Sequence, residues 1–429
     1  MRATSAGLVV AVLLPVGFLA GCGSRSSVPR PQPNVVAPAG KRQRAAAPSA
    51  PAVLERCSTA TAAAPPISPP VPVSMFPPLP GLPSNPYAVV TDGSWAFVTE
   101  PNGYSPHTGL VSVVHMRATG SAVVVRTVTV PGEPFGAALY DARSVLLVAN
   151  YQGGLDVLST KALESSATDP VLRVVRGPGS GGDEVVVDGS YAFVPEEDTG
   201  DVAVDALAPP RPHKGTIPVL RVGKEVGAVP VGPRPVGIVL DAADGVVYVV
   251  SQEGGPSGQG MVTAIDPQRA ERNPAGAVVG TTPAGCDPVR ITLSPAGTVA
   301  WVTDRGADSL LAFRLEVHPR VGGRFGGALL GAVRVGPAPV DVRLVDRGTV
   351  ALVTDSNRFT QPGGNQTVAV VDTAAVLARR PALVGYLPAG AFPRQFSEDD
   401  TSAGTLLFTN YDSLTVSAIP GPDLSWLQA

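Results

Sequence analysis

The chain has 429 residues and a formal net charge of −3, with 48 glycines, 46 prolines and three cysteines. So many turn formers among so few charged residues exclude long helices and favour short strands joined by turns. The charge balance leaves no basic footprint for nucleic acid, and three cysteines are too few for a disulfide scaffold or a cysteine-rich zinc site.

In chain order, Met1-Arg2 supplies a short positive start and Leu8 to Ala20 an apolar run broken only by Pro15 and Gly17. That run is too short for a membrane span and fits the core of a secretory signal. It ends in Leu19-Ala20-Gly21-Cys22, which resembles the bacterial lipobox. The resemblance implies cleavage after residue 21, transfer of diacylglycerol to the sulfur of Cys22, and a lipid-anchored chain in the bacterial cell envelope, outside the cytoplasm. The acyl chains would contribute about 0.8 kcal/mol per buried CH₂ to membrane affinity, so the membrane is an expected partner. The alternative is an ordinary signal peptide with a coincidental cysteine. Residues 22–70 are rich in Ala, Pro, Ser and Val with scattered Arg25, Arg30, Lys41, Arg42 and Arg44. Without periodicity, and stiffened by proline, they read as a tether.

Residues 71–420 are repetitive. The segments AFVTEPN from Ala96, LLVANYQGG from Leu146, AFVPEEDTG from Ala192, VYVVSQ from Val247, AWVTDRGADS from Ala300, ALVTDSN from Ala351 and LLFTNYDS from Leu406 are seven versions of one strand and its turn. Each follows a strand entered through an anchor residue: Pro86, Pro134, Asp183 in place of proline, Pro235, Pro288, Pro339 and Pro393. A period of about 50 residues with three or four short strands per unit is the signature of a β-propeller blade. The fold expected is therefore all-β, a seven-bladed propeller. Blade 7 lacks a fourth strand before the tail of residues 421–429, so Val71–Phe76 is expected to complete it and close the ring.

The strand ends Phe97-Val98-Thr99-Glu100, Leu147-Val148-Ala149-Asn150 and Trp301-Val302-Thr303-Asp304 resemble the signature of the YVTN family of seven-bladed propellers. The sequence departs from it at blade 3, where Gly181-Gly182-Asp183-Glu184 replaces the proline entry, and where Asp or Glu replaces the terminal Asn. The resemblance implies fold more than function, since such propellers serve as binding modules, surface proteins and lactonase-like enzymes.

Alternation along the first strand of each blade assigns offsets one, three and five from the anchor to packing between blades, as in Val236, Ile238 and Leu240. Offsets two and four then face the axis. They are small or apolar in blades 1 to 4, but read Arg290 and Thr292, Asp341 and Arg343, and Gln395 and Ser397 in blades 5 to 7. Arg290, Asp341, Arg343 and Gln395 are thus candidate ligand-binding residues, able to form either an anion-binding wall or an Arg–Asp network lining a water-filled channel. Long second-to-third-strand loops in blades 1, 4 and 6 are expected to border the same pocket. The strand-terminal residues Glu100, Asn150, Glu196, Ser251, Asp304, Asp355 and Asn410 offer oxygen ligands for Ca²⁺, but residues of this kind at strand ends more commonly bond local backbone. No other cofactor is expected. With Cys22 committed to lipid, Cys57 and Cys286 are expected to pair in an oxidising compartment.

The four histidines lie far apart, and no nucleophile elbow or phosphate loop occurs. The leading reading is an envelope scaffold presenting a propeller face to an envelope protein or a small-molecule ligand. The alternatives are a lactonase-like hydrolase with its site at the tunnel mouth and, disfavoured by the charge, a nucleic-acid-binding propeller.

Overall fold

The computed structural model describes residues 53, 54, 57, 76–79, 81–101, 107–117, 122–165, 169–207, 222–317, 325–359, 366–397 and 404–420. The signal segment, Cys22, nearly all of the tether and residues 421–429 lie outside them. Seven four-stranded antiparallel sheets make a seven-bladed β-propeller. The innermost strands are Val89–Asp92, Pro134–Tyr140, Val186–Asp188, Pro235–Asp241, Pro288–Leu293, Pro339–Val345 and Pro393–Phe396. In the last blade the outer position is filled from the N-terminal side: Phe76–Leu79 pairs antiparallel with the strand Thr415–Ile419. The closing strand lies slightly later than Val71–Phe76, whose first five residues are outside the described set. Among the described residues helices are short; Thr160–Glu164, Pro267–Ala270 and Thr373–Leu377 are capped by Ser159, Asp266 and Asp372.

The core lies between blades. Offsets three and five pack as expected: Ile238 and Leu240 meet Phe193, Val202 and Val204 of blade 3, and Val342 and Leu344 meet Trp301, Leu310 and Ala312 of blade 5. Offset one does not. Val236, Val289 and Val340 form a separate cluster with Phe392 and line a cavity on the propeller axis. A β-bulge breaks the alternation. In blade 5, Pro288 faces Asp304 but Ile291 faces Val302, so the innermost strand carries one extra residue. The same slip occurs in blades 2, 6 and 7. Bulges re-aim side chains, and here they turn the offset-one residue inward.

The repeated threonine holds the bulge. Thr303 Oγ1 accepts from Arg290 N (2.9 Å) and donates to Val340 O of blade 6 (2.9 Å). Thr99, Thr354 and Thr409 do the same with Ala88 N and Phe135 O, Asp341 N and Arg394 O, and Gln395 N and Tyr87 O. Each hydroxyl thus satisfies a buried amide and carbonyl while linking one blade to the next, and Thr409 makes that link across the ring closure. The following residue ties down the incoming connection: Glu100 accepts from Ser84 N, Asp304 from Cys286 N and Asn410 from Gly390 N.

Candidate functional site

The axis is closed midway by a buried ion-pair network. Arg290 Nη1 lies 2.7 Å from Asp183 Oδ2, and Nη2 lies 2.9 Å from Glu184 Oε1. All three residues are nearly sealed, with 5%, 3% and 6% of their surface exposed. Burial alone would pull the guanidinium pKa down, but Asp183 and then Glu184 outweigh it and hold Arg290 well above its ordinary value. The Tyr87 hydroxyl donates to Asp183 Oδ1, and the Arg394 guanidinium stacks 3.5 Å from the centre of the Tyr87 ring. The acidic pair comes from Asp183-Glu184, where the blade 3 repeat loses its proline.

Above this plug, on the face carrying the second-to-third-strand loops, lies a chamber of about 390 Å³. One wall, from blades 1 to 3, holds Tyr87, Phe135, Tyr151, Glu133 and Glu197; the other, from blades 5 to 7, holds Arg305, Arg358, Arg394, Phe392 and Tyr411. Tyr87 and Phe135 stack at 4.1 Å between ring centres. Burial, followed by Glu197 and Asp198, pushes the Tyr151 phenol up to about 12, so it stays protonated as a donor. Burial also raises the Glu133 carboxyl. The arginines differ in how they are held. Arg305 is clamped bidentately by Asp287 at 2.8 and 2.9 Å. Arg394 is 3.8 Å from Asp183. Arg358 lies over the Phe359 and Phe392 rings and makes no salt bridge to any described residue. Although Arg358 is exposed at the rim, its pKa is lowered, first by partial desolvation of the guanidinium and then by the charges of Arg305 and Arg394. Gln252 Oε1 is buried in the same chamber without a partner.

The geometry of the mouth carries strain. Arg234, Asp287, Ala338 and Phe392, each preceding an anchor proline, have left-handed φ of 56°, 58°, 52° and 52°. Such residues cost about 1–3 kcal/mol each and gather at functional sites. Here Arg234 and Phe392 line the chamber and Asp287 fixes Arg305.

Arg290, Asp341, Arg343 and Gln395 line a second cavity of about 430 Å³ below the plug. The sequence reading put them in one pocket with the second-to-third-strand loops, but the structure separates the two; of the four, only Arg290 also lines the upper chamber. Arg290 is bound in an ion-pair network, whereas Arg343 forms no salt bridge among the described residues. Part of the blade 1 and blade 6 loops lies outside the described residues. The residues missed in the sequence are Tyr87, Asp183, Glu184, Arg305, Arg358 and Arg394. Two signals pointed to them: the irregular entry of blade 3 and the long blade 6 loop containing Arg358.

The strand-terminal oxygens do not converge. Each serves its own blade, and no metal-holding group of His, Cys, Asp and Glu occurs among the described residues. Neither His107 nor His115 lines either chamber. Cys57 and Cys286 form a disulfide across a sequence separation of 229 residues, and Leu54 packs against the core between blades 4 and 5.

No family model and no curated protein matches this sequence. Solved structures do match in fold. Hydrazine synthase of Kuenenia stuttgartiensis aligns with a TM-score of 0.59 at 16% identity, covering 80% of this chain and 97% of that one. The periplasmic gluconolactonase of Pseudomonas aeruginosa gives 0.55 at 20% identity, with 76% and 88% covered. A provisionally assigned 6-phosphogluconolactonase of Bacteroides fragilis gives 0.56 at 18%, with 72% and 86% covered. At such identities the likeness shows the propeller fold alone.

Proposed function

We propose that this chain is a binding module for a small polyhydroxylated organic anion, taken into the upper chamber, on a YVTN-type propeller lipoprotein tethered to the cell envelope through Cys22. The observation that carries the binding role is the convergence of Arg305, Arg358 and Arg394 on one aromatic mouth. Arg358 there stands exposed at the mouth beside two like-charged neighbours, Arg305 and Arg394. An incoming carboxylate or phosphate relieves that repulsion and accepts charge-assisted hydrogen bonds. The unpartnered Gln252 Oε1 and the carboxylates of Glu133 and Glu197 on the opposite wall suit hydroxyl donors, and the stacked rings suit the C–H faces of a sugar acid. Calorimetric titration with D-gluconate and 6-phosphogluconate tests this reading. Saturable binding weakened at least about tenfold by Arg358→Ala is expected, about 1.4 kcal/mol; failure of both probes to bind, or unchanged binding by the variant, contradicts it.

A lactonase activity is the second reading. Glu133 faces the arginines across the chamber, and a carboxylate base that activates water opposite a guanidinium that stabilises the oxyanion is the pair lactone hydrolysis needs. Glu133→Gln should then abolish hydrolysis of gluconolactone above the spontaneous rate while weakening gluconate binding only a few-fold, as the loss of one hydroxyl acceptor would. The anchoring role is tested separately: Cys22→Ser should move the protein from the detergent to the aqueous phase, and equal partitioning of both forms overturns it.

A further inference from the structure

The cavity below the plug has a different chemistry, and we infer that it is a second, independent binding site, for a small aliphatic hydroxy acid. Its two halves are unlike. Blades 2 to 4 present Leu139, Val187 and Leu240 beside the Arg290-bound Glu184, whereas blades 5 to 7 present Thr292, Arg343 and Gln395. Asp341 lies on the same wall and its charge acts on Arg343, but the two form no salt bridge: Asp341 Oδ1 accepts from Val342 N and Oδ2 from Phe396 N, both at 2.8 Å. Arg343 lines the cavity with its Nε buried and without a hydrogen-bond partner. Beside it Gln395, 8% exposed, holds a buried Oε1 that likewise lacks one.

A buried donor and a buried acceptor left unsatisfied on one wall of a cavity are costly unless something pairs with them. A ligand satisfying both carries an anionic acceptor for the guanidinium and a hydroxyl donor for the amide oxygen. The facing wall is apolar at Leu139, Val187 and Leu240, and its carboxylate, Glu184, is already paired with Arg290, which favours an aliphatic body over a sugar. This distinguishes the site from the upper chamber, whose walls are aromatic and charged on both sides. The buried Arg290 network separates the two.

Calorimetric titration of the intact protein with 3-hydroxyhexanoate tests the inference. Saturable binding at millimolar concentration is expected. Arg343→Gln should weaken it at least about tenfold and Gln395→Leu several-fold, with Arg343→Lys intermediate, since it keeps the charge but loses the fork. Hexanoate, lacking the hydroxyl, should bind several-fold more weakly than 3-hydroxyhexanoate, and Arg358→Ala should leave binding of the hydroxy acid unchanged. Absence of binding by the wild type, wild-type affinity in Arg343→Gln, or a loss that follows Arg358→Ala instead would overturn it. The last outcome would place the ligand in the upper chamber.

Discussion

A single guanidinium, Arg290, decides whether the propeller axis is open or closed. It compensates Asp183 and Glu184 where neither can reach water. Arg290→Met would strand two carboxylates beside each other, and breaking a buried pair in this way costs about 3–5 kcal/mol. Chemical denaturation should show a loss of that size, with Arg290→Lys intermediate; a loss below about 1 kcal/mol would contradict the assignment. Other buried carboxyls set the response to pH. Burial is the main reason that Glu100 and Asp205 are pushed up to about 7 and Glu196 to about 8. A carboxyl whose folded pKa exceeds its unfolded value of about 4 binds its proton more tightly in the folded state. Its stabilising contribution is complete in acid and disappears as the pH climbs through the folded pKa. The protein should therefore melt at a higher temperature at about pH 5 than at about pH 8.5, and Glu196→Gln should narrow the gap. Scanning calorimetry across that range decides the matter; a melting temperature that is flat or rises with pH contradicts it.

The most informative element is the second strand of each blade, whose ending recurs with a threonine in four blades: Val-Thr-Glu in blade 1, Val-Thr-Asp in blades 5 and 6 and Phe-Thr-Asn in blade 7. Why it repeats became clear only from the hydrogen bonds, in which the threonine pins the bulge and bridges to the next blade. Thr303→Val should leave Arg290 N and Val340 O unsatisfied, costing about 1–3 kcal/mol, with Thr303→Ser closer to wild type. Thermal denaturation of both variants checks this, and equal stability of Thr303→Val and wild type would count against the bridge. The bulge also explains what the sequence could not disclose. Blade number, strand order and closure follow from the period and from the strand missing after Ile419, and alternation placed offsets three and five correctly. One extra residue per inner strand then reversed the assignment of offset one, hiding Tyr87 and Arg394. Arg305, Arg358 and Arg394 come from three different blades, and nothing local in the sequence brings them together. Asp183-Glu184 was visible only as a break in the pattern, without an indication that its partner would be Arg290.

At the scale of the whole molecule, the N-terminal segment is fastened twice: Phe76–Leu79 closes the ring on the last blade, and the Cys57–Cys286 disulfide ties the preceding chain to the entry of blade 5. The disulfide meets the loop that supports the binding mouth, since Cys286 O accepts from Gly306 N at 2.7 Å and the adjacent Asp287 clamps Arg305. A crosslink spanning so long a segment stabilises by up to about 5 kcal/mol through chain entropy. Cys57→Ser should accordingly lower the melting temperature, and an unchanged one would show that the link carries no load. The central proposal is that the upper chamber is an anion site. Its most direct test is a crystal structure of the protein grown with D-gluconate. The expected result places the carboxylate between Arg358 and Arg394, over Phe392; a ligand bound elsewhere, with those guanidiniums untouched, contradicts it.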